Sequence, residues 1–198
     1  MNDNLSAHRP SFVTHLECSM TGERYEADTL QGLSRVGRPL LVRYDLEGVR
    51  AAMSKAALAA RPADLWKYRE LLPVRSPANI VSLGETATPL VTLDRVGAKR
   101  AAAAPIVKDE GRLPTGSFKA RGLVMALSMA KALGVRTIAM PTNGNAGAAA
   151  AAYAARAGIE AVVLCPDDTP EINVREIAAQ GGRVYCVNGL IDDCGALV

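Results

Sequence analysis

Aromatic and histidine side chains are scarce in this chain: one tryptophan, two phenylalanines and two histidines in 198 residues. With no block of Lys or Arg and no aromatics interleaved among basic residues, the sequence gives nucleic-acid binding no support. Charge of one sign is lacking too. The formal net charge is +3, spread along the chain, and suits an anionic substrate only weakly. No apolar run approaches the ~20 residues that cross a bilayer, so no membrane partner is expected. The opening Met1-Asn-Asp-Asn-Leu-Ser-Ala-His-Arg-Pro is polar and has no apolar core, unlike a secretory signal. Cysteine is limited to Cys18, Cys165, Cys186 and Cys194. Cys165 and Cys186 lie in strand-like apolar runs and read as reduced core thiols, usage that fits a cytoplasmic setting.

What is present is enough to fold. A hydrophobic content of 49% with 22% charged residues is that of a globular chain able to bury one good core or two small ones. The most informative stretch is Lys108-Asp-Glu-Gly-Arg-Leu-Pro-Thr-Gly-Ser-Phe-Lys119-Ala-Arg-Gly122. It reads as a strand end, a turn made by Pro114 and Gly116, and a helix start with Ser117 as N-cap. The apolar run Leu123 to Leu133 gives the helix body and Gly134 its stop. Lys119 then falls in the first turn, where the helix dipole disfavours a positive charge and a dry site would disfavour it further. The neutral amine is the form that condenses with a carbonyl. Taken alone, Lys119 also reads as a solvated helix-start residue. The Gly111–Gly116 spacing is that of a phosphate-cradling P-loop, but Ser117-Phe118 follow where Lys and Ser or Thr are required.

Three ordered motifs carry a resemblance. Pro114-Thr-Gly-Ser-Phe-Lys119-Ala-Arg-Gly resembles the cofactor-lysine motif of the threonine synthases, a branch of the tryptophan-synthase-like (fold type II) family of pyridoxal-phosphate enzymes. Ser82-Leu-Gly-Glu-Thr-Ala-Thr-Pro-Leu90 is similar to that family's leading segment, and Thr142-Asn-Gly-Asn-Ala-Gly147 to its asparagine loop. The likeness runs from about Ser82 to the last residue. It implies pyridoxal 5'-phosphate as cofactor, held on Lys119 as the catalytic residue, with Phe118 against the ring face and Asn145 bonded to the ring hydroxyl. It also implies an amino-acid substrate gripped by Thr142, Asn143 and Gly144, with Ser117 nearby. The implied reaction converts O-phospho-L-homoserine and water to L-threonine and phosphate. A threonine/serine dehydratase or a cysteate synthase-like enzyme is the alternative reading. A non-catalytic ligand-binding fragment is the alternative of another class. A homodimer is left open.

Residues 1–45 read as a small ribbon-like unit that His15–Cys18 opens, with strands at Arg24–Glu26 and Leu40–Asp45. Many threonine synthases carry a cysteine ribbon here that looks able to hold zinc. This chain departs from it, since Thr21 stands in the C-x-x-C partner position and Gly32 to Pro39 has no cysteine. A tetrahedral site needs about four N or S ligands, which Cys18, His8 and His15 do not supply, so no metal is expected. Residues 46–118 read as part of the larger, cofactor-binding domain. There, Leu46 to Ala60 is helical in pattern, Asp64 caps a short helix through Trp66 to Leu71, and Trp66 is a core residue. Thr88–Leu93 is a strand, Ala98–Ala104 a low-complexity link, and Pro105–Glu110 the strand feeding the lysine turn.

Residues 119–198 form a smaller α/β domain. Helices 117–133, 146–157 and 171–180 alternate with strands 136–140, 160–165 and 183–187. That alternation predicts crossover units, a parallel sheet and helices on both faces: the incomplete two-domain architecture of fold type II. Pro141 to Gly147 sits at a strand's carboxyl end, where such sheets bind ligands. Its N–H groups and the helix start behind them form an anion-binding concavity. The loop lacks G-x-G-x-x-G, so it is no dinucleotide fingerprint. The family's glycine-rich phosphate loop and its partner for the pyridine nitrogen have no counterpart here. The last residues read as a helix just begun, so the chain is expected to be the N-terminal part of a longer enzyme.

Overall fold

The computed structural model describes residues 11–198. The polar N-terminus and His8, read above from sequence, lie outside the described residues. The first elements are β1 (Val13–Cys18), β2 (Arg24–Tyr25) and β3 (Leu40–Tyr44), an antiparallel ribbon in the order β2-β1-β3. Cys18 is buried, donating to Ser34 Oγ at 3.2 Å and accepting the Thr21 N–H at 3.4 Å. The helix expected over 46–60 is divided into α1 (Leu46–Ala52) and α2 (Lys55–Ala59). Ser54 causes the break: it takes an extended conformation and its hydroxyl caps α2 by accepting the Ala57 N–H, which a mid-helix serine competes to do. Asp64 caps the following segment as expected, but Leu65–Leu71 is a 3-10 helix. Trp66 packs against the main core.

β4 (Leu90–Thr92) and β5 (Ile106–Lys108) pair antiparallel in a sheet of their own. Between them the sequence suggested an alanine link. Instead, Asp94–Arg100 forms a helix, α3, closed by Ala101 at φ 46. Asp94 in its first turn and Lys99 and Arg100 in its last suit the helix dipole, and only the last residues of that run, 101–104, remain a turn and link.

From Lys119 onward the expected alternation is present: α4 (Lys119–Ala132), β6 (Thr137–Pro141), α5 (Asn145–Ala157), β7 (Glu160–Pro166), α6 (Glu171–Ala179), β8 (Arg183–Val187) and α7 (Ile191–Ala196). The three strands are parallel in the order β6-β7-β8. Met140, Ala148, Ala151, Val163, Ile177 and Val184 form one core cluster, so α5 and α6 cover the same sheet face. Pro141, the residue alternate to Met140, points to the other face, where Gly195 of α7 approaches its ring. Helices therefore lie on both faces. The run 148–154 is entirely buried; its alanines let α5 pack closely between α4 and the sheet.

The leading segment is clamped onto these helices. Val81 N–H donates to Ser128 Oγ of α4 at 2.9 Å. The Tyr153 hydroxyl of α5 donates to Glu85, both side chains being buried. Burial, with the Glu85 carboxylate beside it, raises the Tyr153 phenol far above its ordinary value, so it remains a donor. Ser82 Oγ and the Leu83 N–H complete the carboxylate's partners at 2.7 and 2.8 Å.

Candidate active site

Two stretches that the chain separates meet at one cavity. Lys119 from the start of α4 and residues 141–146 from the β6–α5 connection line a depression of about 430 Å³, closed by Asn173 of α6 and Ile191 of α7. It opens at the carboxyl end of β6, where parallel sheets hold ligands.

The lysine turn is built from a 3-10 turn, Pro114–Gly116, in which Thr115 has φ 61 and Gly116 φ 65. Gly116 takes this left-handed conformation freely; Thr115 takes it at a cost. The pair turns the chain into α4. Ser117 Oγ accepts the Lys119 N–H at 3.3 Å, but Phe118 and not the expected Ser117 holds the N-cap position of α4. Ser117 is buried and, like Phe118, stands outside the cavity lining. Phe118 is 59% exposed, and Lys119 Nζ lies 4.8 Å from its ring centroid, a cation–π distance. The dry setting expected for the amine differs from what is seen. Lys119 is half-buried, and Asn143 and Asn145 beside it are exposed.

The asparagine loop is organised by Thr142. Its side chain is 3% exposed, and its Oγ1 accepts the N–H groups of Gly144 at 3.0 Å and Gly147 at 2.9 Å while donating to the Gly144 carbonyl at 3.2 Å. The Thr142 N–H is held by Leu164 of β7. Thr142 is thus an internal brace, and its own donors are already engaged. The open donors are the N–H groups of Asn143, Asn145 and Ala146, which have no acceptor among the described residues. Grouped at a helix start, such N–H groups suit a carboxylate or phosphate. Gly144 has φ 140, and a Cβ there would stand 2.8 Å from Asn173 Oδ1, so both backbone and space require glycine.

Asn173 escaped the sequence reading. Its Nδ2 donates to Asn145 Oδ1 at 3.2 Å, which turns the Asn145 amide so that its own NH2 is left to donate to a ligand. Nothing in the local pattern of α6 distinguishes this residue.

The basic residues near Lys119 are already paired. Arg121 donates to Glu110 at 2.5 and 2.8 Å, Lys108 donates to Thr88, and Thr88 donates to Glu110. The Arg121 hydrogen bonds, with those from Thr88 and Lys108, hold the Glu110 carboxyl down to about 2. Arg112 pairs with Asp109. Arg121 and Lys108 line a different cavity, with Lys67 and Tyr68.

The chain is 34% identical over 177 residues to a threonine synthase of Methanocaldococcus jannaschii, covering 89% of this chain and 44% of that protein. It is 38% identical over 187 residues to a threonine synthase of Methanosarcina acetivorans, covering 93% and 45%. The chain therefore spans less than half the length of these relatives. Among solved structures, holo diaminopropionate ammonia lyase from Escherichia coli superposes with a TM-score of 0.56 at 23% identity, over 61% of this chain and 36% of that one, a likeness of fold. A pyridoxal 5'-phosphate-dependent aspartate racemase gives 0.50 at 28% identity, over 56% and 36%. Residues 81–198, which hold all three motifs and the whole cavity, match the profile of the pyridoxal-phosphate dependent enzymes. The cavity brings together a lysine amine and a turn with open N–H donors, and the chain belongs to that family.

Proposed function

We propose that this chain carries the cofactor-lysine portion of a threonine synthase, which converts O-phospho-L-homoserine and water to L-threonine and phosphate. The observation that carries the reading is the meeting of Lys119 with residues 142–145 around one cavity. The threonine synthases of Methanocaldococcus jannaschii and Methanosarcina acetivorans, alike over about nine-tenths of this chain, support that activity over a dehydratase.

The residues present fit pyridoxal phosphate. Lys119 offers the amine that would hold it, and the NH2 of Asn145, freed by Asn173, would donate to its ring hydroxyl. When bound, that cofactor supplies an electron sink for carbanions. The chain's own groups do the rest. The N–H groups of Asn143, Asn145 and Ala146 bind and orient the substrate carboxylate. Thr142 fixes their geometry, and Gly144 lets the ligand approach the backbone. The Lys119 amine is the base placed to hold and move a proton. The free thiols among the described residues suit a cytoplasmic setting.

Incubation with pyridoxal phosphate, borohydride reduction and peptide mapping tests the site. The label is expected on Lys119 and absent from Lys119→Ala. Labelling spread over other lysines, with Lys119 unmodified, refutes it. In the longest form of the protein, phosphate release from O-phosphohomoserine supports the synthase, and 2-ketobutyrate from threonine supports the dehydratase instead.

A further inference from the structure

The sequence reading treated Cys165 and Cys186 alike, as core thiols. The structure separates them and brings them together at once. β7 and β8 run in a register that sets Cys165 directly beside Cys186. The two Sγ atoms are 3.9 Å apart and both thiols are free. Neighbouring strands lie about 4.8 Å apart, within the roughly 4.4–6.8 Å between Cα atoms that a disulfide spans. Bonding needs the sulfurs to close by ~2 Å, which side-chain rotation supplies without backbone movement. The two environments differ. Cys186 is exposed, on the strand at the edge of the three-stranded sheet. Cys165 is buried, and burial, then its hydrogen bond with Cys186, raises its thiol above the ordinary value. Cys186 is the thiol that a reagent in solvent reaches first.

We propose that Cys165 and Cys186 are an oxidisable dithiol, a modification site at the carboxyl end of the parallel sheet that takes a hydroperoxide as co-reactant. The Cys186 sulfur attacks one oxygen of hydrogen peroxide. The O–O bond breaks, the sulfur becomes a sulfenic acid and one water leaves. The Cys165 sulfur then attacks the Cys186 sulfur. The S–O bond breaks, and the hydroxyl departs as a second water with the Cys165 proton. Two thiols lose two electrons and one peroxide gains them. The new bond would fasten β7 to β8 one residue beyond Leu164, whose carbonyl holds the Thr142 N–H at 2.9 Å. It would also lie just before the segments that deliver Asn173 and Ile191 to the cavity. Cys194 of α7, also buried, is the competing thiol.

The test uses the full chain, a small molar excess of hydrogen peroxide, alkylation of remaining thiols in denaturant, and tryptic digestion without reductant. Cys165 falls in the peptide 157–175, and Cys186 shares 184–198 with Cys194. The expected product joins these two peptides, two hydrogens lighter than their sum, with fragment ions placing the bond at Cys186. It reverts with dithiothreitol, disappears in Cys186→Ser and persists in Cys194→Ala. Fragment ions from the unsubstituted chain decide the pairing if Cys194→Ala folds poorly. A bond at Cys194, a main product linking two chains, or Cys186 carried to a sulfinic acid while Cys165 remains alkylatable overturns the proposal.

Discussion

Replacing Thr142 by Val tests whether the asparagine loop is held from within. Valine keeps the shape, including the methyl that lies against Gly147, and removes only the hydroxyl. That oxygen accepts two N–H groups and donates to one carbonyl in a buried position. A buried donor left without its acceptor costs about 1–3 kcal/mol. Two are stranded, but the loop sits at the rim of an open cavity and water can reach part of it. The expected loss is therefore about 2–3 kcal/mol, read as a lower urea midpoint at unchanged m-value. Thr142→Ser is the control. It keeps the hydroxyl, loses one methyl, and should cost about 1 kcal/mol. Amide exchange at Gly144 and Gly147 should accelerate in Thr142→Val and not in Thr142→Ser. Equal midpoints for the two variants, with equal exchange at both glycines, would refute the brace and with it the assignment of the open donors to Asn143, Asn145 and Ala146.

Gly144→Ala should lose at least about 2 kcal/mol in the same denaturation assay, because φ 140 is hostile to a side chain and the new methyl meets Asn173 Oδ1. Adding Asn173→Ala should recover only the part due to that contact, measured as a double-mutant cycle; full recovery would show that the backbone carries no strain. The Glu110 carboxyl, lowered to about 2 by Arg121, Thr88 and Lys108, contributes stability that is present above the ordinary carboxylate pKa and lost as pH falls through about 2. Linkage sets the full effect at about 3 kcal/mol, and solvent screening of a pair with 24% and 31% of its side chains exposed reduces it to about 1–2. Between pH 4.5 and 2 the wild-type protein should lose that much more stability than Glu110→Gln; parallel acid limbs would refute the pairing.

The alternation of helices and strands after Lys119 was legible in the sequence, because 3.6- and 2-residue periodicities and glycine stops are local properties. So were the placing of Lys119 in a first helical turn and of the asparagine loop at a strand end. Residues 46–60 and 98–104 were read less well. One serine cap divides the first, and the helix that ends at Arg100 runs three residues into the second. Which strands neighbour one another was decided only by the tertiary structure, and every contact that crosses them depends on it. Asn173 reaches Asn145 from 28 residues away and Tyr153 reaches Glu85 from 68. Cys165 meets Cys186 through sheet register alone. Arg121 and Lys108, both within the lysine stretch of the sequence, are tied to Glu110 once the chain folds back on itself. Local chemistry names the groups; sheet order and crossover packing determine which of them share a cavity and which are already paired.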